Sequence, residues 1–171
     1  MPLQHTHNTS TFSTKKFPIV LVCDGVQSPS NIGSLFRICD ALGVSEIVFC
    51  NALINIDSPR LQKTARSTQK KVSYSESKNI LKTLEEFKQK EFTPIALEIT
   101  DKSIPLEKLS LPKNEKIVLI IGNEKLGISD VVLKKTPLSV HINMFGENSS
   151  MNVVQATSIA LHSIINKLYI Y

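Results

Sequence analysis

The spacing of hydrophobic positions changes several times along the chain. Ile19–Asp24 (IVLVCD) is a short apolar run and predicts a buried strand. From Asn31 the spacing turns helical: Ile32, Leu35, Phe36, Cys39 and Leu42 share one face, Asn31 is placed to cap the helix and Gly43 to end it. Glu46–Cys50 reads as a second strand. A helix opened by Pro59, a short strand near Val72–Tyr74 and an amphipathic helix over Lys78–Lys90 follow, the last with Ile80, Leu81, Leu84 and Phe87 inward. Thr93–Leu97 is a strand, and Pro105, Pro112 and Lys113 fall in a long connection. Ile117–Ile121 (IVLII) is continuous and β-branched, as at the centre of a parallel sheet. A short helix from about Ser129 to Lys134, a strand over Ser139–Ile142, a loop over Asn143–Ser150 and a final helix over Met151–Leu168 complete the pattern. Strands alternating with helices predict an α/β fold, a mostly parallel sheet flanked by helices. The final helix has a wide apolar arc, from Val153 and Val154 to Ile165 and Leu168, so it packs on the sheet or is shared with a second subunit.

Composition narrows the class without naming a function. With 171 residues and 42% hydrophobic content, one domain over residues 18–171 is expected behind a Thr/Ser/His-rich arm, residues 1–17. No apolar run approaches the ~18 residues of a membrane span, and the arm lacks the apolar stretch of a signal peptide. Cys23, Cys39 and Cys50 form no Cys-x-x-Cys pair, which suits a reducing, cytoplasmic setting. His5 and His7 have no ligand-type neighbours, and no metal is expected.

Charge adds a first hint. Lys and Arg total 20 against 15 Asp and Glu, a net +5 that is modest for a nucleic-acid binder. Its placement says more. Between Arg60 and Lys71 there is no acid, and on a continuous helix Arg60, Lys63, Arg66 and Lys70 share about a third of the circumference. Such a stripe suits phosphates, and it equally suits an ordinary solvated face.

Familiar nucleotide motifs are missing: there is no Gly-x-x-x-x-Gly-Lys-Ser/Thr loop and no Gly-x-Gly-x-x-Gly after the first strand. Three other segments stand out. In the first, Asn31-Ile-Gly-Ser-Leu-Phe-Arg37-Ile-Cys-Asp-Ala-Leu-Gly43, Arg37 lies opposite the apolar face and does not serve packing. In the second, Ile121-Gly-Asn-Glu124-Lys-Leu-Gly127-Ile-Ser129, a glycine follows the central strand. Glu124 then sits at a strand's carboxyl end, where open α/β sheets bind ligands. The third, His141-Ile-Asn-Met144-Phe-Gly146-Glu-Asn-Ser-Ser150-Met-Asn152-Val, is a polar loop entering an apolar helix. Ser149 or Ser150 could cap that helix, while Ser150 and Asn152 offer hydrogen bonds at its start. His141 reads as a strand-end histidine without a chemical role.

These segments, in this order and across roughly residues 18 to 169, resemble the three motifs of the SpoU (TrmH-type) RNA ribose methyltransferases of the SPOUT superfamily. The resemblance implies a deep trefoil knot in the C-terminal part of the sheet, an exception to unknotted connectivity. It implies S-adenosylmethionine bound by Leu97, Gly122, Ile142, Met144, Ser150 and Met151, and a homodimer with its active site at the subunit interface. It implies methyl transfer to a ribose 2′-hydroxyl of RNA, with Arg37, Asn31, Glu124, Ser150 and Asn152 as site residues and no metal. Arg37 matches the arginine often proposed as the base. A free guanidinium, with pKa above ~12, is a poor one, so holding the phosphate and ribose is the other role open to it. Glu124 would shape the site and orient Arg37 or the substrate, from its own or the partner subunit. The basic segment Arg60–Lys71 becomes an RNA contact under this reading.

The sequence departs from the family where Asn143 replaces a usual Pro, Met151 a Leu, Val154 a frequent Ser and Gln155 a frequent Val. The loss of the proline removes rigidity, not chemistry, so inactivity does not follow. Only the arm precedes the expected core, so substrate choice would rest on the core surface, the arm or a partner protein; relatives of this small kind favour tRNA over rRNA. Two other readings stay open: a non-catalytic RNA-binding protein that keeps the fold, and an α/β enzyme for a small anionic metabolite.

Overall fold

The computed structural model describes residues 12–170. The expected arm falls largely outside them; residues 12–16 are exposed and carry no helix or strand, and Phe17 already opens the first strand. Seven strands form one sheet: β1 (Phe17–Asp24), β2 (Val44–Cys50), β3 (Ser73–Ser77), β4 (Thr93–Leu97), β5 (Ile104–Pro105), β6 (Ile117–Gly122) and β7 (Leu138–His141). Their spatial order is β3-β2-β1-β6-β4-β7-β5, and every pairing between them is parallel. The IVLII run is the central strand, as its composition predicts. Five helices flank the sheet: α1 (Pro29–Ala41), α2 (Pro59–Ala65), α3 (Ile80–Gln89), α4 (Asp130–Lys135) and α5 (Val153–Ile165).

The two-residue period of the strands builds two cores. Ile19, Leu21 and Cys23 of β1 face one side, where they meet Leu35 and Phe36 of α1, Leu61 of α2 and Leu161 and Ile164 of α5. Val20 and Val22 face the other side, where Ile80 and Leu84 of α3 and Val132 of α4 cover them. Each such side chain contributes about 1.5–3 kcal/mol on burial. Gly33 lets α1 and α2 touch: a Cβ there would stand 2.3 Å from the Leu61 carbonyl oxygen.

Several predicted elements shift. Helix α1 starts at Pro29 with Ser28 as its cap residue, because proline suits the first helical position. Asn31 therefore lies inside the first turn and caps nothing. Helix α2 starts at Pro59 as predicted but ends at Ala65. Arg66 (φ 50°) and Ser67 (φ 70°) both adopt left-handed backbone before a short 3-10 turn at Thr68–Lys70. The continuous basic stripe through Arg60, Lys63, Arg66 and Lys70 is thus broken. Leu81, expected inward on α3, is 38% exposed, and Thr83 takes an inward position beside Leu84. Strand β5 and the 3-10 turn Leu106–Lys108 lie in the stretch read as a bare connection; a strand of two residues leaves no periodicity to read. Helix α5 starts at Val153, capped by Asn152 rather than by Ser149 or Ser150, and ends in a widened turn over Asn166–Ile170.

Candidate active site at the carboxyl edge of the sheet

The order of strands reverses between β1 and β6. The helices that follow these two strands, α1 and α4, pack on opposite faces of the sheet. The register pairs Asp24, the last residue of β1, with Gly122, the last of β6. The chain after each meets at once. Glu124, from the loop after β6, turns its carboxylate to the start of α1. It accepts from the backbone N–H of Ser28 at 3.1 Å, from that of Gln27 at 3.4 Å and from Asn31 Nδ2 at 3.0 Å. A carboxylate at a helix start meets unpaired N–H groups and the positive end of the helix dipole. Partial desolvation would raise the Glu124 pKa, but the hydrogen bonds from Asn31, from its own backbone, from Ser28 and from Gln27 outweigh it. The net shift is downward.

Asn31 passes the connection on. Its Oδ1 accepts from Asn152 Nδ2 at 3.3 Å, and Asn152 Oδ1 caps α5 by accepting from the Val154 N–H at 2.8 Å. One side-chain line, Glu124–Asn31–Asn152, therefore joins the three segments singled out in the sequence. It runs along the mouth of a cavity of about 650 Å³ at the ends of β4, β6 and β7. Leu97, Gly122, Ile142, Met144, Ser150 and Met151 all line this cavity, together with Asn31, Glu124 and Asn152. Every residue that the resemblance assigns to the cofactor is thus at one place, although they come from three separate stretches of chain.

Arg37 is elsewhere. It lies on α1 about 9 Å further along the axis than Asn31 and is turned well away from it. It is exposed, does not line the cavity, and has no ion pair or hydrogen bond among the described residues. Glu124 does not orient Arg37 within one chain: the two share no hydrogen bond or ion pair, and the carboxylate is engaged at the α1 start. Arg60, Lys63, Arg66 and Lys70 are also exposed and outside the cavity.

A family model described as the SpoU rRNA Methylase family matches residues 18–162. The chain belongs to the SpoU rRNA methylase family. A tRNA (guanosine(18)-2′-O)-methyltransferase of Saccharomyces cerevisiae is 30% identical to it over 148 residues, 85% of this chain and 10% of that protein. The 23S rRNA (guanosine(2553)-2′-O)-methyltransferase RlmP of Bacillus subtilis is 26% identical over 145 residues, 85% of this chain and 57% of that protein. The chain thus spans only part of the length of these relatives. Among solved structures, an AdoMet-bound rRNA methyltransferase from Sinorhizobium meliloti superposes with a TM-score of 0.81 at 19% identity, over 92% of this chain and 59% of that one. That likeness shows a shared fold.

In this SpoU-family chain three further polar residues hold the site, and none stands out in the sequence. Asp24 is 5% exposed; its carboxylate accepts from the Ser129 N–H at 3.0 Å, from Ser129 Oγ at 2.7 Å and from Asn51 Nδ2 at 2.9 Å. It ties the loop after β6 to β1 and β2. Glu98, just past β4, accepts from the Ile128 N–H at 2.9 Å and from the Ile99 N–H at 3.1 Å. Asn123 donates to the Gly25 carbonyl at 2.6 Å, and its Oδ1 accepts from the Lys125 and Leu126 N–H groups. The only signal is position: each acid or amide ends or directly follows an apolar strand. The loop these residues hold is closed so tightly that a Cβ on Gly122 would stand 2.1 Å from the Gly127 carbonyl carbon. Glycine is required there by the chain's own backbone. His141, which lines the cavity, shares a hydrogen bond between its Nδ1 and Ser103 Oγ at 2.9 Å. Among the described residues no group of three or more His, Cys, Asp or Glu side chains is placed to hold a metal ion.

Proposed function

We propose that this chain is an S-adenosylmethionine-dependent RNA methyltransferase, working as a homodimer on a ribose 2′-hydroxyl. One observation carries the reading: the Glu124–Asn31–Asn152 line joins all three family segments at the mouth of one cavity. The lining fits the cofactor. Leu97, Ile142 and Met144 offer apolar surface, and Glu98, Glu124 and Asp130 set three carboxylates against the single ammonium of Lys125, which favours a cationic ligand. Bound there, S-adenosylmethionine supplies an electrophilic methyl group on its sulfonium. The residues of this chain do the rest. Asn31 and Asn152 are held in fixed rotamers by Glu124 and the α5 start, so their remaining hydrogen-bonding capacity is aimed without further loss of entropy. Ser150 adds a hydroxyl at the rim.

Arg37 serves this site from a second copy of the chain. The cavity of one chain lacks it, and it has no hydrogen-bond or ion-pair partner among the described residues. Across a dimer interface its fork of donors suits a substrate phosphate, fixing the ribose oxygen in line for transfer. The first half of α5 supports such an interface: Val154 is only half-buried and Ile159 is 44% exposed. The topology supports a knot at the C-terminal end. Strand β6 enters between β1 and β4, and β7 between β4 and β5, all of which come earlier in the chain. The substrate is RNA, with tRNA first in line because the yeast relative is named for tRNA; the Bacillus relative is named for rRNA. The setting is the cytoplasm.

The test is methyl transfer from labelled S-adenosylmethionine to separate tRNA and rRNA pools from a strain lacking the gene, followed by nucleoside mass spectrometry. A 2′-O-methylated nucleoside in one pool is expected. No transfer to either pool, with the cofactor still bound, would replace this reading with the non-catalytic RNA-binding one.

A further inference from the structure

A second cavity, of about 550 Å³, opens at the carboxyl ends of β1, β2 and β3, and it is lined by Gln27, Asn51, Ala52, Leu53, Ser77 and Lys78. It adjoins the first, since the Gln27 N–H is bonded to the Glu124 carboxylate that lines the larger cavity. The two differ in charge. The larger is lined by three carboxylates and one lysine, whereas among the described residues the only charged side chain lining the smaller is Lys78. Lys78 has no ion pair among the described residues.

The walls of the smaller cavity are ordered. The Asn51 N–H donates to the Ser77 carbonyl at 3.1 Å, its Nδ2 donates to Asp24 at 2.9 Å, and the Ile54 N–H donates to Glu76 at 3.4 Å. These bonds leave Asn51 Oδ1 and the Gln27 side-chain amide without partners among the described residues. On the pinned loop between them Leu53 stands 92% exposed. An apolar side chain, two amide groups and one ammonium around a space of this size match a heterocyclic base with its phosphate. The base would lie on Leu53, its edge would meet Asn51 and Gln27, and the phosphate would meet Lys78.

We propose that this second cavity holds a nucleobase and phosphate of the RNA next to the reacting ribose, and so contributes to the choice of nucleotide. The proposal rests on the RNA-methyltransferase reading above. It makes the two cavities one groove, cationic cofactor on the acidic side and RNA on the basic side.

The experiment compares Leu53→Ser, Gln27→Ala and Lys78→Ala with the wild type, after thermal melts show each folded. RNA binding is read by anisotropy across a salt series, transfer by KM for RNA at saturating S-adenosylmethionine, and cofactor affinity by calorimetry. Leu53→Ser should raise KM for RNA about 5-fold or more with kcat and cofactor affinity unchanged. Lys78→Ala should lower the slope of log affinity against log salt by about 1. Gln27→Ala should change the ranking of RNAs that differ at one base. All three variants matching the wild type would overturn the proposal while leaving the methyltransferase reading intact. RNA binding by the wild type without methyl transfer would overturn that reading, and the anisotropy series would still decide on the cavity. A wild type that binds no RNA would overturn both.

Discussion

Asn31 and Arg37 sit on the same helix, less than two turns apart, and they have opposite surroundings. Asn31 is gripped from both sides, by Glu124 at 3.0 Å and Asn152 at 3.3 Å, on the lip of the larger cavity. Arg37 is exposed and has no hydrogen bond or ion pair among the described residues. The residues assigned to the cofactor thus come together around one cavity within one chain. Under the proposed function, Arg37 reaches this site only from a second copy of the chain. The absence of Arg37 from the cavity of its own chain is the observation behind the proposal that a second subunit brings its Arg37 over the cavity.

The largest effect should come from the free side. Arg37→Ala should lower methyl transfer about 100-fold or more with S-adenosylmethionine affinity unchanged, and Arg37→Lys should rescue little, because an ammonium cannot reproduce the planar fork. Normal turnover in Arg37→Ala would break the contrast. Next comes the gripped side. Gly122→Ala forces a methyl into the backbone at Gly127 and should cost about 1–3 kcal/mol in chemical unfolding, with cofactor binding weakened in parallel. Wild-type stability would show the loop to be slack. Asp24→Asn should cost about 1–3 kcal/mol in the same assay, since an amide cannot accept all three hydrogen bonds from Ser129 and Asn51.

Smaller effects sharpen the picture. Lys63→Glu with Arg66→Glu should weaken RNA binding and flatten its salt dependence, read by anisotropy; an unchanged slope would make that corner an ordinary solvated surface. Glu124 has a lowered folded pKa, so its contribution is present above the unfolded value of about 4.5 and fades as pH falls through the folded one. Glu124→Gln should therefore remove part of the loss of stability between about pH 4.5 and the unfolding limb below it. An identical acid limb would deny the carboxylate its role at the α1 start.

What was legible in the sequence followed from local rules. The strand and helix periods gave the α/β class, the central position of Ile117–Ile121 and the start of α2 at Pro59. The motif residues around the larger cavity were named one by one, although only the parallel register explains why Asp24, Gly122 and the loops after them meet. What stayed hidden depended on tertiary geometry. The left-handed pair Arg66–Ser67 breaks the basic stripe, and neither residue type announces such a turn. Asn31 looked like a helix cap because Asn often is one, but Pro29 claims the first helical position and frees Asn31 for the link to Asn152. Asp24 and Glu98 carry no signal in the sequence because a lone acid at a strand end forms no pattern without its partners, about a hundred and about thirty residues away.

The contrast between the gripped and the free side of α1 is tested most directly by mixing two inactive variants. Arg37→Ala leaves the cavity intact; Ser150→Trp fills it from an exposed rim position and leaves Arg37 intact. Each alone should be nearly inactive. Co-expressed in equal amounts, they should recover about a quarter of wild-type methyl transfer, because half of the dimers are mixed and each of those holds one complete site. A mixture as inactive as its components would mean that each chain uses its own Arg37, and the shared site would be wrong.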